Sequence, residues 1–170
     1  VSIYVLCSYS YYYYWHSIKH QERQIAERFI SYAAGLSDSI GAQFFERYGD
    51  VLAFAESSKV NLRNQNQLQS LLNKFVKLYS IYDVILIVDR DGKYLSSNSS
   101  DNMGQALNIS SLKNKTFRNE LWFKSVMQKN FTEDAQKNLT GVYVGDVAID
   151  PITTEVYGTK RFGNSFSAPI

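Results

Sequence analysis

Residues 25–55, IAERFISYAAGLSDSIGAQFFERYGDVLAFA, decide how the rest of the chain is read. Ile25, Phe29, Tyr32 with Ala33, Leu36, Ile40, Phe44, Tyr48, Val51 and Ala55 follow one another at steps of three or four. That spacing puts a single apolar stripe along one helix face. Glu22, Arg23, Glu27, Arg28, Asp38, Gln43, Glu46, Arg47 and Asp50 fall on the other side. No proline interrupts the stretch. Gly35, Gly41 and Gly49 weaken it, each by about 1 kcal/mol relative to alanine. The pattern predicts one long helix from Lys19 to about Ser57. At about 1.5 Å per residue, roughly 40 residues make a rod about 60 Å long. Such a rod is expected to pack along a body and project beyond it.

Moving towards the N-terminus, residues 1–20 read VSIYVLCSYSYYYYWHSIKH. An apolar start gives way to Tyr9, Tyr11, Tyr12, Tyr13, Tyr14 and Trp15, then to His16, Lys19 and His20. Tyrosine and tryptophan concentrate where lipid meets water, because ring and polar tip each find a suitable solvent. Residues 1–18 are therefore expected to be the outer end of a transmembrane helix with its aromatic belt. About 20 apolar residues are needed to span a bilayer, so only a stub is expected here. The opening Val1 and the closing Ala168-Pro169-Ile170 are read as the ends of a fragment of something longer. His16 and His20, four apart, could share a metal, but two ligands make a poor site.

Moving towards the C-terminus, Gln65 to Tyr79 is a second amphipathic helix, with Leu68, Leu71, Leu72, Phe75 and Val76 on its apolar side. Residues 19–80 thus form a stalk helix and a return helix. At Tyr82 the period changes. YDVILIVD is almost continuously apolar and β-rich, as in a strand buried on both faces. Asp89-Arg90-Asp91-Gly92-Lys93 reads as a hairpin turn, with Asp-Gly supplying the positive-φ residues. Lys93 to Asn98 is the partner strand. Phe117 to Gln128 is a short helix, with Leu121, Trp122, Ser125 and Val126 on one side. Gly141 to Ile149 is a further strand, broken at Asp150-Pro151. Glu155 to Lys160 and Phe162 to Ala168 read as additional strands. The fold class is α+β, with helices gathered on one side of an antiparallel sheet.

Composition excludes several functions. The net charge is +2, with acids and bases dispersed, so no basic stripe argues for nucleic acid. Cys7 is the sole cysteine and gives neither an internal disulfide nor a zinc framework. There is no phosphate-binding glycine loop, no nucleophile elbow and no His-Glu-x-x-His pattern. Both histidines precede the folded part, so a Ser-His-Asp arrangement cannot be assembled there. No enzyme is expected within these residues, and no cofactor. Asn98, Asn108, Asn114, Asn130 and Asn138 each open an Asn-x-Ser/Thr sequon, a mild excess over chance.

The order of these signals resembles the membrane-distal half of a double Cache (dCache) sensor domain. Such domains form the extracytoplasmic part of chemotaxis receptors, sensor histidine kinases and diguanylate cyclases. The matching pieces are the long helix after a membrane anchor, YDVILIVDRDGKYLSS, NMGQALN, LKNKTFRNELWFKSVMQ, GVYVGDVAIDP and FGNSFSAPI. The resemblance covers roughly residues 20–170. It implies that residues 81–170 form a PAS-like antiparallel sheet of five or six strands, with the long helix packed on it. It also implies a ligand pocket between the sheet and the short helix.

In relatives that bind amino acids, an arginine two residues before the helix tryptophan clamps the carboxylate. A downstream tyrosine and aspartate, one residue apart, help hold the ligand. Here Trp122 matches the tryptophan, but Glu120 stands two before it and Arg118 four before it. Tyr143 matches the tyrosine, and the acid comes one residue late, at Asp146. A carboxylate facing Glu120 would meet like charge. The resemblance therefore implies a ligand site at Trp122, Tyr143, Asp146, Glu120 and Arg118 that favours an amine or amino-acid-like molecule. Aromatic faces attract ammonium by about 0.5–2 kcal/mol. Each of the five also has a plainer reading, as core packing, a solvated turn or a surface ion pair.

The expected function is ligand sensing on the outer side of the cell inner membrane, facing the periplasm or extracellular space. The signal would pass through the long helix to a cytoplasmic output domain, with a homodimer formed along that helix. The alternative is an adhesion or partner-sensing ectodomain without a small-molecule ligand.

Overall fold

The computed structural model describes residues 2–59, 64–135 and 137–170. Helix α1 runs Ser2–Lys59 and α2 Gln65–Tyr79. The hairpin strands are β1, Leu86–Val88, and β2, Tyr94–Ser97. A 3₁₀ turn at Leu112–Asn114 precedes α3, Leu121–Met127. Strands β3, Tyr143–Val144, and β4, Ala148–Ile149, lead into α4, Pro151–Tyr157. Strands β5, Phe162–Gly163, and β6, Phe166–Ser167, follow. The chain divides into two units, the boundary lying inside α1 between Glu46 and Arg47.

The first unit is one helix. The stripe expected to pack along a body is uncovered in it. Ile25, Phe29, Tyr32, Leu36 and Ile40 are all exposed, Tyr32 at 76%. The aromatic run is exposed too, with Tyr11 and Trp15 edge to face at 6.2 Å. Among the described residues, no helix is long and apolar enough to cross a membrane.

The second unit is built on β1. Its side chains alternate, as the period of two requires. Ile85 and Ile87 pack with Leu68, Leu72 and Phe75 of α2. Val84, Leu86 and Val88 pack the other way, on Leu112, Phe117 and Val156. The continuous apolar run thus serves two cores, as a strand buried on both faces should. The strand proper is shorter than YDVILIVD suggested, because hydrogen-bonded pairing covers only Leu86 to Val88. Its turn also differs. Gly92 has φ +77°, whereas Asp91 keeps a negative φ. Gly92 N–H donates to the Asp89 carbonyl, and Asp89 N–H to the Lys93 carbonyl. This is a turn closed by one left-handed glycine next to a bulged register. A β-carbon at Gly92 would also lie 2.6 Å from the Arg118 nitrogen, so glycine is required twice over.

Helix α2 has the limits its pattern predicts. The Asn64 side chain accepts the Gln67 N–H at its start, and Ser80 ends it in the left-handed region. Helix α3 begins at Leu121, four residues later than expected, because residues 118–120 form a turn. It buries Phe123 and Ser125, while Leu121, assigned from the sequence to the packed side, is 67% exposed. The strand expected over Gly141–Ile149 is split into β3 and β4. The strand expected over Glu155–Lys160 is instead the last turn of a helix, Glu155 to Tyr157, and an irregular segment after it. Asp150 caps α4 by accepting the Thr153 N–H at 2.6 Å, and Pro151 occupies its first turn. Asp-Pro starts a helix here, since proline at that position lacks only a donor no helix would use.

The six strands form three antiparallel pairs, β1–β2, β3–β6 and β4–β5. The fold is α+β, with a long N-terminal helix and small antiparallel sheets. Polar side chains complete the hairpin. Asn98 is fully buried; its Oδ1 accepts the Ile85 N–H at 2.8 Å, and its Nδ2 donates to the Asp83 and Ser100 carbonyls at 3.1 Å. Asn73 of α2 likewise accepts from the Ser99 and Ser100 backbone. Asn98→Ala would remove the side-chain partner of three partly buried backbone groups. It should lower unfolding stability by about 2–4 kcal/mol, read from urea denaturation; a loss under 1 kcal/mol would contradict this account.

Candidate functional site

The site expected from the sequence is spread over α3 and β3. The turn before α3 is fixed by Glu120 N–H donating to the Phe117 carbonyl, and the Glu120 carbonyl accepts from Lys124. This makes Glu120 the N-cap residue, its side chain making no capping bond. Glu120 and Arg118 are both exposed. Trp122 is half-buried and packs with the Leu112, Phe117 and Val156 cluster. Its ring lies 6.0 Å from that of Phe117 and 5.9 Å from that of Phe123. Tyr143 is half-buried in β3, paired with Ser167 of β6. Asp146 is exposed just beyond β3.

Helix α3 lies against the β3–β6 pair, which brings the elements carrying Trp122 and Tyr143 together. Among the described residues, no hydrogen bond or ion pair joins any two of the five. Open troughs lie elsewhere, along α1. One of about 520 Å³ is lined by Arg28, Tyr32 and Leu36, and one of about 310 Å³ by Tyr13, His16 and His20. Among the described residues, no group of three or more His, Cys, Asp or Glu could hold a metal.

Two clusters escaped the sequence reading. In one, Arg161 is paired with Asp83 at 2.7 Å and lies 3.8 Å over the Tyr157 ring. In the other, the Tyr82 hydroxyl donates to Asp50 Oδ2 at 2.9 Å, and Arg47 Nε lies 3.2 Å from the same oxygen. Phe54, stacked on Phe75 at 4.3 Å, meets the Tyr82 ring edge-on. These partners lie 32 and 78 residues apart in sequence, and no local pattern announces such pairs. The only signal was their type: acids and aromatics flanking an apolar run.

Both tyrosines resist ionisation. Burial pushes Tyr82 well above the ordinary value of 10.0, and its bond to the Asp50 carboxylate pushes the same way, with Arg47 opposing. Tyr157 is raised by burial and then by the Asp83 charge, against Arg161.

No family model matches the chain, and neither the curated proteins nor the solved structures hold a match.

A tyrosine held above its unfolded value contributes stability that is complete below that value and is lost as pH rises. Stability should therefore fall above pH 10.0, the ordinary tyrosine value. Each such tyrosine contributes a slope of at most about 1.4 kcal/mol per pH unit. Urea midpoints measured from pH 8 to about 11 should show a shallower alkaline fall for Tyr82→Phe than for the wild type. Parallel curves would remove Tyr82 as a source.

Proposed function

We propose that the chain is a ligand-sensing ectodomain of a transmembrane signalling receptor of the double Cache type. In this reading the β1–β2 hairpin belongs to a PAS-like sheet. Residues 1–18 seat at the cell inner membrane, with the sensing module facing the periplasm or extracellular space. A small amine or amino-acid-like molecule binds on the α3–β3 face. Trp122 and Tyr143 supply aromatic surface, Glu120 and Asp146 negative charge, and Arg118 a cation for any carboxylate. A ligand acts only through its different affinity for two arrangements of the module.

The observation that carries this reading is the character of α1. One helix holds an aromatic run, then an apolar stripe without cover, then turns whose Tyr48, Phe54 and Ser58 are buried. An element that only packed a core would not keep such a stripe in water. We assign the stripe to a second copy of the chain. The resemblance to Cache receptors at the hairpin and at the α3 segment supports the same reading.

A second reading is an adhesion or partner-sensing ectodomain. The packing of Trp122 into the Leu112–Phe117–Val156 cluster favours it, because that ring has a structural role without any ligand.

A thermal-shift screen with amines, amino acids and organic acids separates the two. A sensor gains stability as RT ln(1 + [L]/Kd), about 2.7 kcal/mol at a hundredfold excess over Kd. Trp122→Phe should keep the fold and weaken the shift from the active amine at least fivefold in Kd. Silence across the whole library favours the partner-sensing reading. The dimer has its own check. Phe29→Glu should move the sedimenting species from dimer to monomer, and an unchanged mass would remove the stripe from the interface.

A further inference from the structure

Tyr48 occupies an unusual place in the second unit. It is 3% exposed, and its hydroxyl makes two hydrogen bonds to the backbone of a distant loop. It accepts the Val142 N–H at 3.0 Å and donates to the Thr132 carbonyl at 3.0 Å. On the other side of the same pair, Thr132 N–H donates directly to the Val142 carbonyl at 2.8 Å. Two residues opposed in this way on antiparallel strands ordinarily exchange both bonds directly. Here one of the two is interrupted, and the phenol oxygen stands in the gap as a relay.

The surroundings hold the relay in place. Asp134 and Leu139 bridge further up the same loop. Val144 N–H donates to Thr132 Oγ1 at 3.0 Å, so the start of β3 is tied to the same residue. Val142 is fully buried. Gly141, at φ +101°, lies beside Leu52 of α1, where a β-carbon would make an ordinary contact 3.5 Å from Leu52 Cδ2. Thr132, Gly141 and Val142 are thus fastened to α1 at its Tyr48 and Leu52 turn.

We infer that Tyr48 is a latch between α1 and the loop that runs from α3 into β3. The pair Thr132–Val142 has two closed forms. In one, the Tyr48 hydroxyl relays the bond and α1 is held. In the other, Val142 N–H bonds directly to the Thr132 carbonyl and α1 is released. No backbone donor or acceptor is orphaned in either form, so the hydrogen-bonding cost of the exchange falls on the Tyr48 hydroxyl alone, which water satisfies once α1 moves away. Movement of α1 that withdraws the hydroxyl, or a shift of the loop that brings its strands together, leads to the same released form. This makes the contact bistable rather than merely stiff. The latch is defined without a ligand, so its failure and the failure of the receptor reading are separate results.

Amide exchange of Tyr48→Phe, followed by NMR on the full chain, tests it. Phenylalanine keeps the ring and removes the relay. The Val142 amide should stay protected to within about threefold, because the direct bond replaces the lost one, while amides from Gly49 to Ala55 exchange at least about tenfold faster. Loss of Val142 protection, or unchanged exchange in α1, overturns the latch. If Tyr48→Phe does not fold, the wild type decides. Relaxation dispersion at the Thr132 and Val142 amides on the µs–ms scale supports two forms, and flat profiles there overturn them.

Discussion

The burial of β1 on both faces is the constraint from which the second unit follows. A three-residue strand has too few backbone bonds to hold itself, and an isolated hairpin is marginal in water. It persists because alternate side chains are claimed by two separate cores. Ile85 and Ile87 require α2 on one side. Val84, Leu86 and Val88 require the 3₁₀ turn, Phe117 and α4 on the other. A slip of one residue would exchange these two sets, so the register is fixed by size and shape on both sides at once.

Polar groups then lock what the apolar ones place. Gln69 and Asn73 of α2 hold the chain leaving β2 through side-chain bonds to its backbone, and Asn98 ties that chain to the segment entering β1. Such buried networks are stabilising only when complete, which confers a single arrangement on the segment. The α1 end is fastened differently, by aromatic rings and by two hydroxyls that reach across, those of Tyr48 and Tyr82. The hairpin is thus held on its α2 side by a completed polar network, while the Tyr82 hydroxyl and the Phe54 ring join the segment before it to α1.

Much of the framework was legible in the sequence, for reasons that also explain what was not. The limits of α2 follow from its apolar spacing, and the structure adds Asn64 as the cap at its start. The double-faced burial of β1 follows from its unbroken apolar run. Helix α4 was misread because Val156, Tyr157 and Thr159 favour strands, while Asp150-Pro151 was taken for a break instead of a cap. The stripe on α1 lies along one helix as its spacing requires, but periodicity does not say what covers a face, and Ile25, Phe29, Tyr32, Leu36 and Ile40 are exposed. The five candidate site residues could be named from a motif. Their exposure could not, since Arg118, Glu120 and Trp122 sit in and beside a turn whose position depends on Gly92. Tyr48 was visible only as part of the stripe, because its hydrogen-bond partners lie 84 and 94 residues away.

The burial of Asn98 has a consequence for covalent modification. Asn108, Asn114, Asn130 and Asn138 present their sequons at the surface, where a sugar chain could be carried without cost to the fold. The amide of Asn98 is fully enclosed, and both its oxygen and its nitrogen are engaged by backbone groups. An oligosaccharide linked there would need the space now filled by the segment from Asp83 to Ile85. A chain carrying one could not close this hairpin, so the first of the five sequons is incompatible with glycosylation in the folded protein.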